Sequence, residues 1–153
     1  KCAEVPYLER LHETISRSYK LKLGPLGLSV LPTTNIEFCR AVGCVAAALF
    51  GIHENGYVYT DVRWANIVRL GNNDWMLIDC YEVCRLTDKA GLYSRGVSRG
   101  LLSGNWCCSD DLKQLVDLGK KLAFVSPEFT EIFSNLVSSG DCTLAGILDL
   151  CSV

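Results

Sequence analysis

Apolar and polar positions follow a helical period over one long stretch of the chain, residues 36–54. A stripe at this spacing predicts an amphipathic helix that packs on the core. Thr34 and Glu37 have the spacing of a capping box at its start, and Asn55-Gly56 supplies a stop. His53, in the last turn, is predicted to meet the final carbonyl groups of this helix. The apolar stripe comprises Phe38, Ala41, Val42, Val45, Ala46, Leu49 and Phe50.

The first 19 residues also carry apolar positions close to helical spacing, which predicts an N-terminal helix. Those positions are Val5, Leu8, Leu11 and Ile15. The next residues, 19–23, alternate between polar and apolar and predict a short strand, which Gly24-Pro25-Leu26-Gly27 ends. We therefore expect a helix within residues 1–19 and a strand with its turn at residues 20–27.

A β-hairpin is predicted after the long helix. Residues 66–70 and 75–78 are short β-prone runs on either side of Gly71-Asn72-Asn73-Asp74. Antiparallel pairing would bring Asn66, at the start of one strand, beside Asp79, at the end of the other. Trp64 precedes the hairpin and is predicted to pack against it.

Three further helices are predicted toward the C-terminus. Ser109-Asp110-Asp111 provides capping residues for the first, Pro127 opens the second, and Asp141-Cys142-Thr143 precedes the last. Residues 84–108 lack periodicity, which is typical of a functional loop. The whole pattern predicts a mainly α fold with a small β-hairpin (α+β), as a single domain of residues 1–153.

Composition and charge narrow the classes of function. The chain is 49% hydrophobic with a net charge of −2, so it is globular and lacks the basic surface that nucleic acid or an anionic membrane attracts. No apolar run in the sequence reaches the ~18 residues that span a bilayer. Nine cysteines lack zinc-binding spacings and cannot all pair, so we expect an intracellular, reducing compartment such as cytoplasm or nucleus. Since the chain begins at Lys1 and not at Met, we expect it to be a piece of a longer protein or a processed product.

Two aspartates at a telling interval carry the candidate chemistry. Asp61 and Asp79 are 18 residues apart (79 − 61 = 18), and Asn66 lies between them. The Asp61 carboxylate could accept a proton from an attacking hydroxyl group. Asn66 and Asp79 offer oxygen ligands of the kind that Mg²⁺ prefers. Each of the three could instead cap a turn or a strand end, but that alternative requires three intervals to coincide.

These residues resemble the catalytic half of a protein kinase. The segment Tyr59-Thr60-Asp61-Val62-Arg63-Trp64-Ala65-Asn66 is similar to the family's H-R-D-x-x-x-x-N loop, with Tyr and Thr in place of His and Arg. Asp79-Cys80-Tyr81 keeps the aspartate of D-F-G at the family's interval. The resemblance covers roughly residues 20–150. It implies the helical C-terminal lobe of a divergent kinase-like domain, similar to those of fungi and oomycetes, some of which are crinkler-type secreted effectors.

The resemblance implies a catalytic role for four residues. Asp61 would be the catalytic base, and Arg63 would neutralise charge on the transferring phosphoryl group. Asn66 and Asp79 would hold the Mg²⁺ that accompanies ATP.

It also implies contacts to the cofactor and to the loop. Residues 21–24 would be the hinge strand, in which Leu21, Leu23 and Gly24 meet the adenine of ATP through backbone groups. Asp111, at the head of its helix, would hydrogen-bond the backbone of the catalytic loop. Tyr59 would pack beneath the second aspartate.

Parts of the family's site are absent from the sequence. No G-x-G-x-x-G loop precedes residue 20, and about 20 residues are too few for the nucleotide-clamping N-lobe. We therefore expect an atypical kinase-like fragment that transfers a phosphoryl group to a protein hydroxyl only together with its missing N-lobe. The alternatives are a pseudokinase or effector module that docks a protein partner, and a small-molecule kinase of the same fold. A secreted effector of this kind would act inside a host cell.

Overall fold

The computed structural model of the chain describes residues 5–15, 20–86 and 106–152. These residues form four α-helices and six short β-strands, so the predicted mainly α fold with a small β component is confirmed. The strands pair antiparallel as β1–β2, β3–β6 and β4–β5. The helices are α1 (Asn35–Glu54), α2 (Cys108–Gly119), α3 (Pro127–Ser138) and α4 (Leu144–Leu150). The strands are β1 (Arg10–Ile15), β2 (Lys20–Gly24), β3 (Tyr57–Val58), β4 (Ile67–Arg69), β5 (Trp75–Leu77) and β6 (Cys84–Arg85).

Helix α1 lies at the centre of the core, as its apolar stripe predicts. Six of the seven stripe residues are buried, and the seventh, Phe50, is partly buried. The helix packs against α2, α4, β3 and β5. By length and composition α1 could cross a membrane, but 56% of its most apolar window is buried inside the fold. Its hydrophobicity is therefore that of a core helix surrounded by protein.

Both ends of α1 follow the predicted chemistry. The Thr34 hydroxyl accepts a hydrogen bond from the Glu37 backbone N–H at 3.2 Å. The Glu37 carboxylate accepts from the Thr33 N–H at 2.7 Å, so the reciprocal bond of the capping box is displaced by one residue. At the other end Asn55 is the C-cap, and Gly56 adopts a positive φ of 80° that a residue without Cβ tolerates.

The prediction of an N-terminal helix is wrong for residues 5–15. Arg10–Ile15 is strand β1, which pairs with β2 in a register from Arg10↔Gly24 to Ile15↔Lys20. Just before it, the Glu9 N–H donates to the Leu77 carbonyl at 2.9 Å, and the Leu77 N–H donates to the Tyr7 carbonyl at 2.8 Å. These partners lie on β2 and β5, and they satisfy the backbone in an extended form that local periodicity cannot anticipate. The strand predicted at residues 19–23 is confirmed as β2, which the structure describes as Lys20–Gly24.

The predicted hairpin is confirmed as β4 and β5, with Ile67↔Leu77 and Arg69↔Trp75 in register. Beyond the last pair, the Ile78 N–H donates to the Asn66 carbonyl at 2.9 Å. The backbone of Asn66, one predicted metal ligand, therefore lies beside that of Ile78, the residue before the other predicted ligand, Asp79. Trp64 packs edge-on against Trp75 with ring centroids 6.1 Å apart, which confirms its predicted place against the hairpin.

The three C-terminal helices are also confirmed, with one shift. The N-cap of helix α2 is Cys107, two residues before the predicted cap at Ser109, and the Cys107 N–H donates to Asp110 Oδ2 at 3.0 Å. Ser126 and Thr143 cap α3 and α4, and Pro127 is the first residue of α3. Of the predicted irregular segment 84–108, residues 87–105 lie outside the described residues. Its first two residues form β6, which pairs with β3.

Candidate functional site

Asp61 lies at the start of a loop between β3 and β4 and is only 8% exposed. Its Oδ2 accepts a hydrogen bond from Asn66 Nδ2 at 2.8 Å, and the same nitrogen donates to the Asp61 carbonyl at 3.0 Å. Arg63 Nη2 lies 3.0 Å from Oδ2, although the Arg63 side chain is 46% exposed. The structure therefore brings three of the predicted site residues into direct contact. The loop is tight enough for this because a 3₁₀ turn, Trp64–Asn66, leads into β4.

Asp111, in the first turn of α2, binds the backbone of this loop. Its side chain is fully buried, and its two oxygens accept the backbone N–H groups of Tyr59 at 2.8 Å and Thr60 at 2.7 Å. These are the loop contacts that the resemblance implies for Asp111. A buried carboxylate needs such donors, because an unpaired charge in the interior costs several kcal/mol, roughly 3–5 when one partner is removed.

His53 is a third partner of Asp111, with Nε2 2.8 Å from Oδ2. The prediction that His53 meets the last carbonyls of α1 is therefore wrong. A carboxylate is the stronger hydrogen-bond partner for an imidazole. The Asn55 side chain occupies the expected place instead, since its Nδ2 donates to the Gly51 carbonyl at 2.8 Å.

Gln114 is a loop partner that the sequence did not reveal. Its Oε1 accepts from the Val62 N–H at 2.7 Å, and its Nε2 donates to the Thr60 carbonyl at 2.9 Å. The available signal was its position, because a residue three after Asp111 lies on the same face of a helix. A polar side chain on that face therefore reaches the same loop.

Asp79 follows β5 in a left-handed backbone conformation with φ 61°, and its side chain points outward. Its N–H donates to Glu9 Oε2 at 3.2 Å, a partner 70 positions away that the sequence did not suggest. The hydroxyl of Tyr59 donates to the Ile78 carbonyl and also lies 3.3 Å from the Asp79 carbonyl. The side chains of Glu9 and Tyr59, from distant parts of the chain, thus both bind the backbone around Asp79.

Tyr59 serves as a neutral donor in this arrangement. It is 1% exposed, and burial, together with the nearby acidic groups, raises the pKa of its phenol well above the ordinary value. The hydroxyl therefore keeps its proton near neutral pH and acts as a donor. Its hydroxyl binds the peptide at Asp79, close to where it is predicted to pack.

The oxygen donors at this end of the hairpin suit Mg²⁺ only in part. Asp79 contributes an exposed carboxylate and Asn66 an amide whose nitrogen is already used by Asp61. Within residues 5–15, 20–86 and 106–152 there is no group of three or more acidic, histidine or cysteine side chains that could hold an ion. Mg²⁺ commonly takes one or two carboxylates and completes its shell with substrate phosphates and water. The residues therefore fit a Mg–phosphate complex better than a bare ion.

The predicted hinge residues lie on β2 and its end. Leu23 is 43% exposed, Gly24 is buried, and Leu21 lies within the same strand. The chain then runs along β4, where Leu28 and Arg69 exchange backbone hydrogen bonds of 2.8 and 2.9 Å. Their contact with adenine stays a prediction.

Comparison with known proteins finds one informative similarity. No protein-family model matches the chain. Over 90 residues it is 30% identical to Crinkler effector protein 8 of Phytophthora infestans. That region is 58% of this chain but 15% of the relative, so the chain spans a small part of the curated protein that it matches. The similarity agrees with the crinkler-type likeness of the sequence.

Proposed function

We propose that this chain is the catalytic-loop half of an atypical kinase-like domain, which transfers the γ-phosphoryl group of ATP to a protein hydroxyl. The observation that carries the proposal is the cluster of Asp61, Arg63 and Asn66 beside the hairpin end that bears Asp79. The buried Asp111 also fixes the backbone just before Asp61 through the N–H groups of Tyr59 and Thr60. Such support is what a reacting group needs in order to keep its direction.

Each residue has a definite task in this proposal. The Asp61 carboxylate would orient the acceptor hydroxyl and take its proton as the oxygen attacks the γ-phosphorus, while the bond from that phosphorus to the β-phosphate oxygen breaks and ADP leaves. Arg63, which already lies at 3.0 Å from that carboxylate, would turn toward the phosphoryl oxygens. Asp79 and Asn66 would hold Mg²⁺ on the phosphates, and Mg²⁺ would neutralise the charge that develops there.

The described residues supply one side of such a site. Adenine would lie against the backbone at Leu21, Leu23 and Gly24, and the phosphates would need a second, glycine-rich lobe from elsewhere in a longer protein. We therefore expect the 153-residue chain alone to show no appreciable transfer. The likeness to a Crinkler effector supports a role as a secreted effector that acts inside a host cell. Free thiols at Cys39, Cys44, Cys107 and Cys151 suit a reducing compartment.

Phosphotransfer by the longer protein tests the proposal. Purified protein with Mg²⁺ and γ-labelled ATP would be compared with Asp61→Asn and Asp79→Asn, each expected to lower the rate about 100-fold or more. Asp117→Asn is the matched control, because Asp117 is exposed on α2 and forms an ion pair with Lys120, one turn away on the same helix. Equal labelled product in all four proteins would refute the assignment. Label that appears on an added aminoglycoside or choline, and not on protein, would instead indicate a small-molecule kinase.

A docking module without catalysis is the second candidate, and one surface favours it. The connector that follows β2, at residues 25–31, exposes Leu26 to 92%, Leu28 to 62% and Leu31 to 53%. Apolar side chains grouped on a surface mark contact sites for protein. Calorimetry of the longer protein with Mg·ATP separates the two candidates, because a docking module needs no nucleotide. Undetectable heat of binding, with a partner captured through Leu26 and Leu28, would favour docking.

A further inference from the structure

Thr60, the residue before Asp61, has an unfavourable backbone conformation. Its φ is 75°, in the left-handed region that a β-branched residue rarely adopts. Such a conformation costs about 1–3 kcal/mol and persists only when surrounding contacts impose it. Thr60 is 1% exposed, so the contacts that impose it come from protein.

Gln114 and Asp111 supply those contacts from one face of α2. Asp111 accepts the N–H groups of Tyr59 and Thr60, on the N-terminal side of the strained residue. Gln114 reaches over the other side, where its amide accepts from the Val62 N–H and donates to the Thr60 carbonyl. The peptides before and after Asp61 are therefore both bound by a single side chain.

We infer that Gln114 is a positioning residue, which holds Thr60 in its left-handed conformation and thereby aims the Asp61 carboxylate. Both hydrogen bonds of Gln114 reach backbone atoms, so its effect on Asp61 is exerted through the backbone of the loop. An amide suits this task because it offers one acceptor and one donor in a fixed geometry and carries no charge. The importance of the Asp61 orientation for catalysis rests on the proposed function, whereas the effect of Gln114 on the conformation of Thr60 does not.

The 153-residue chain itself is suited to the test, which uses NMR on Gln114→Leu and Gln114→Glu. Removing the amide in Gln114→Leu should expose the Val62 N–H, with hydrogen exchange roughly threefold to tenfold faster. The three-bond HN–Hα coupling of Thr60, which reports φ, should move toward that of an extended residue. Gln114→Glu can still accept from Val62 but offers no donor to the Thr60 carbonyl, so it should fall between wild type and Gln114→Leu. Lys113→Leu, at an exposed neighbouring position, should change neither quantity.

Glycine at position 60 provides a rescue that a merely stabilising role would not show. Glycine adopts a positive φ without the steric cost. In the Thr60→Gly background, adding Gln114→Leu should therefore change the coupling at residue 60 much less than it does in wild type, a non-additivity that a double-mutant cycle measures, whereas the Val62 N–H loses its acceptor in either background. An unchanged Thr60 coupling in Gln114→Leu, with only a lower melting temperature, would overturn the inference.

Kinetics of the longer protein then test whether the orientation of Asp61 affects the rate of phosphoryl transfer. Gln114→Leu should lower kcat about tenfold or more with little change in KM for ATP, since misplacing a reacting group by about 1 Å can cost 100-fold. If no variant, wild type included, transfers phosphate, the proposed function fails while the NMR result still decides the role of Gln114. If wild type is active and Gln114→Leu keeps full kcat, the positioning role is wrong although the proposed function stands.

Discussion

At the scale of single residues, Asp111 does the most to shape the candidate site. It is fully buried, yet three donors from two elements converge on it: His53 from α1, and the N–H groups of Tyr59 and Thr60. Hydrogen bonds to a charged acceptor are about twice as strong as neutral ones. One carboxylate therefore joins α2 to the end of α1 and to the loop that carries Asp61.

Asp111→Asn should lower the free energy of unfolding by about 2–4 kcal/mol, because an amide has one acceptor oxygen and its NH₂ group would face backbone N–H donors. Urea denaturation followed by circular dichroism measures this. Asp117→Asn, on an exposed turn of the same helix, should change stability by less than about 0.5 kcal/mol. Equal losses in the two variants would show that Asp111 is an ordinary helix residue.

At the scale of elements, the connector between β2 and α1 lies unusually close to the hairpin. A Cβ added at Gly27 would meet Val68 Cγ2 at 2.5 Å and the Arg69 carbonyl oxygen at 3.0 Å. The same residue of the hairpin, Arg69, pairs with Leu28 and forms an ion pair with Glu37 at 3.0 Å. Gly27 is thus required by close packing of the connector on β4.

Gly27→Ala should therefore destabilise the fold by about 1–3 kcal/mol, the usual cost of overpacking. Gly71→Ala is its matched control in the turn of the same hairpin, where an added Cβ meets nothing within 4 Å. That variant should be neutral or slightly stabilising, because alanine restricts the unfolded chain. Thermal unfolding of both variants decides the matter, and a neutral Gly27→Ala would mean that the connector can move away from β4.

At the scale of the whole molecule, an open cavity of about 780 Å³ lies between α1, the end of α4 and the hairpin turn. Three of its lining residues are Cys39, Cys44 and Cys151. Burial raises the pKa of all three thiols, that of Cys151 to about 12. The thiolate is the reactive form, so these cysteines should be inert near neutral pH although they line an open cavity.

Alkylation of the folded protein should therefore label the exposed Cys107 well before Cys151 at pH 7.5, with peptide mass spectrometry as the readout. Labelling of Cys151 should keep rising up to pH 10, since its pKa of about 12 lies higher still. In urea it should level off near the unfolded pKa of about 8.5. Because the pKa of Cys151 is higher in the folded than in the unfolded state, its neutral thiol favours folding in full below pH ~8.5, and this contribution to stability declines as the pH rises further. Equal labelling rates in the folded state would contradict the burial of Cys151.

The local chemistry of the chain was sufficient to predict much of this protein. The period of the apolar stripe, the cap at Thr34, the stop at Gly56 and the turn after Leu70 all act within a few residues, so helix α1 and the β4–β5 hairpin could be derived from sequence. The proximity of Asn66 to the hairpin end that bears Asp79 could be derived in the same way, because antiparallel pairing brings residues that are distant in sequence side by side.

Only the tertiary structure decided which distant groups support the site. Residues 10–15 are a strand because β2 satisfies their backbone, whereas their spacing alone suited a helix. His53 turns to Asp111 across 58 positions, Gln114 reaches the loop across 52, and Glu9 reaches Asp79 across 70. Periodicity reports which face of an element is apolar, but a buried polar side chain takes whichever partner the packed elements bring to it. The sequence by itself therefore determined the four helices, the β4–β5 hairpin and the candidate reacting groups, and the packing of α2 and the N-terminal strand determined how those groups are held.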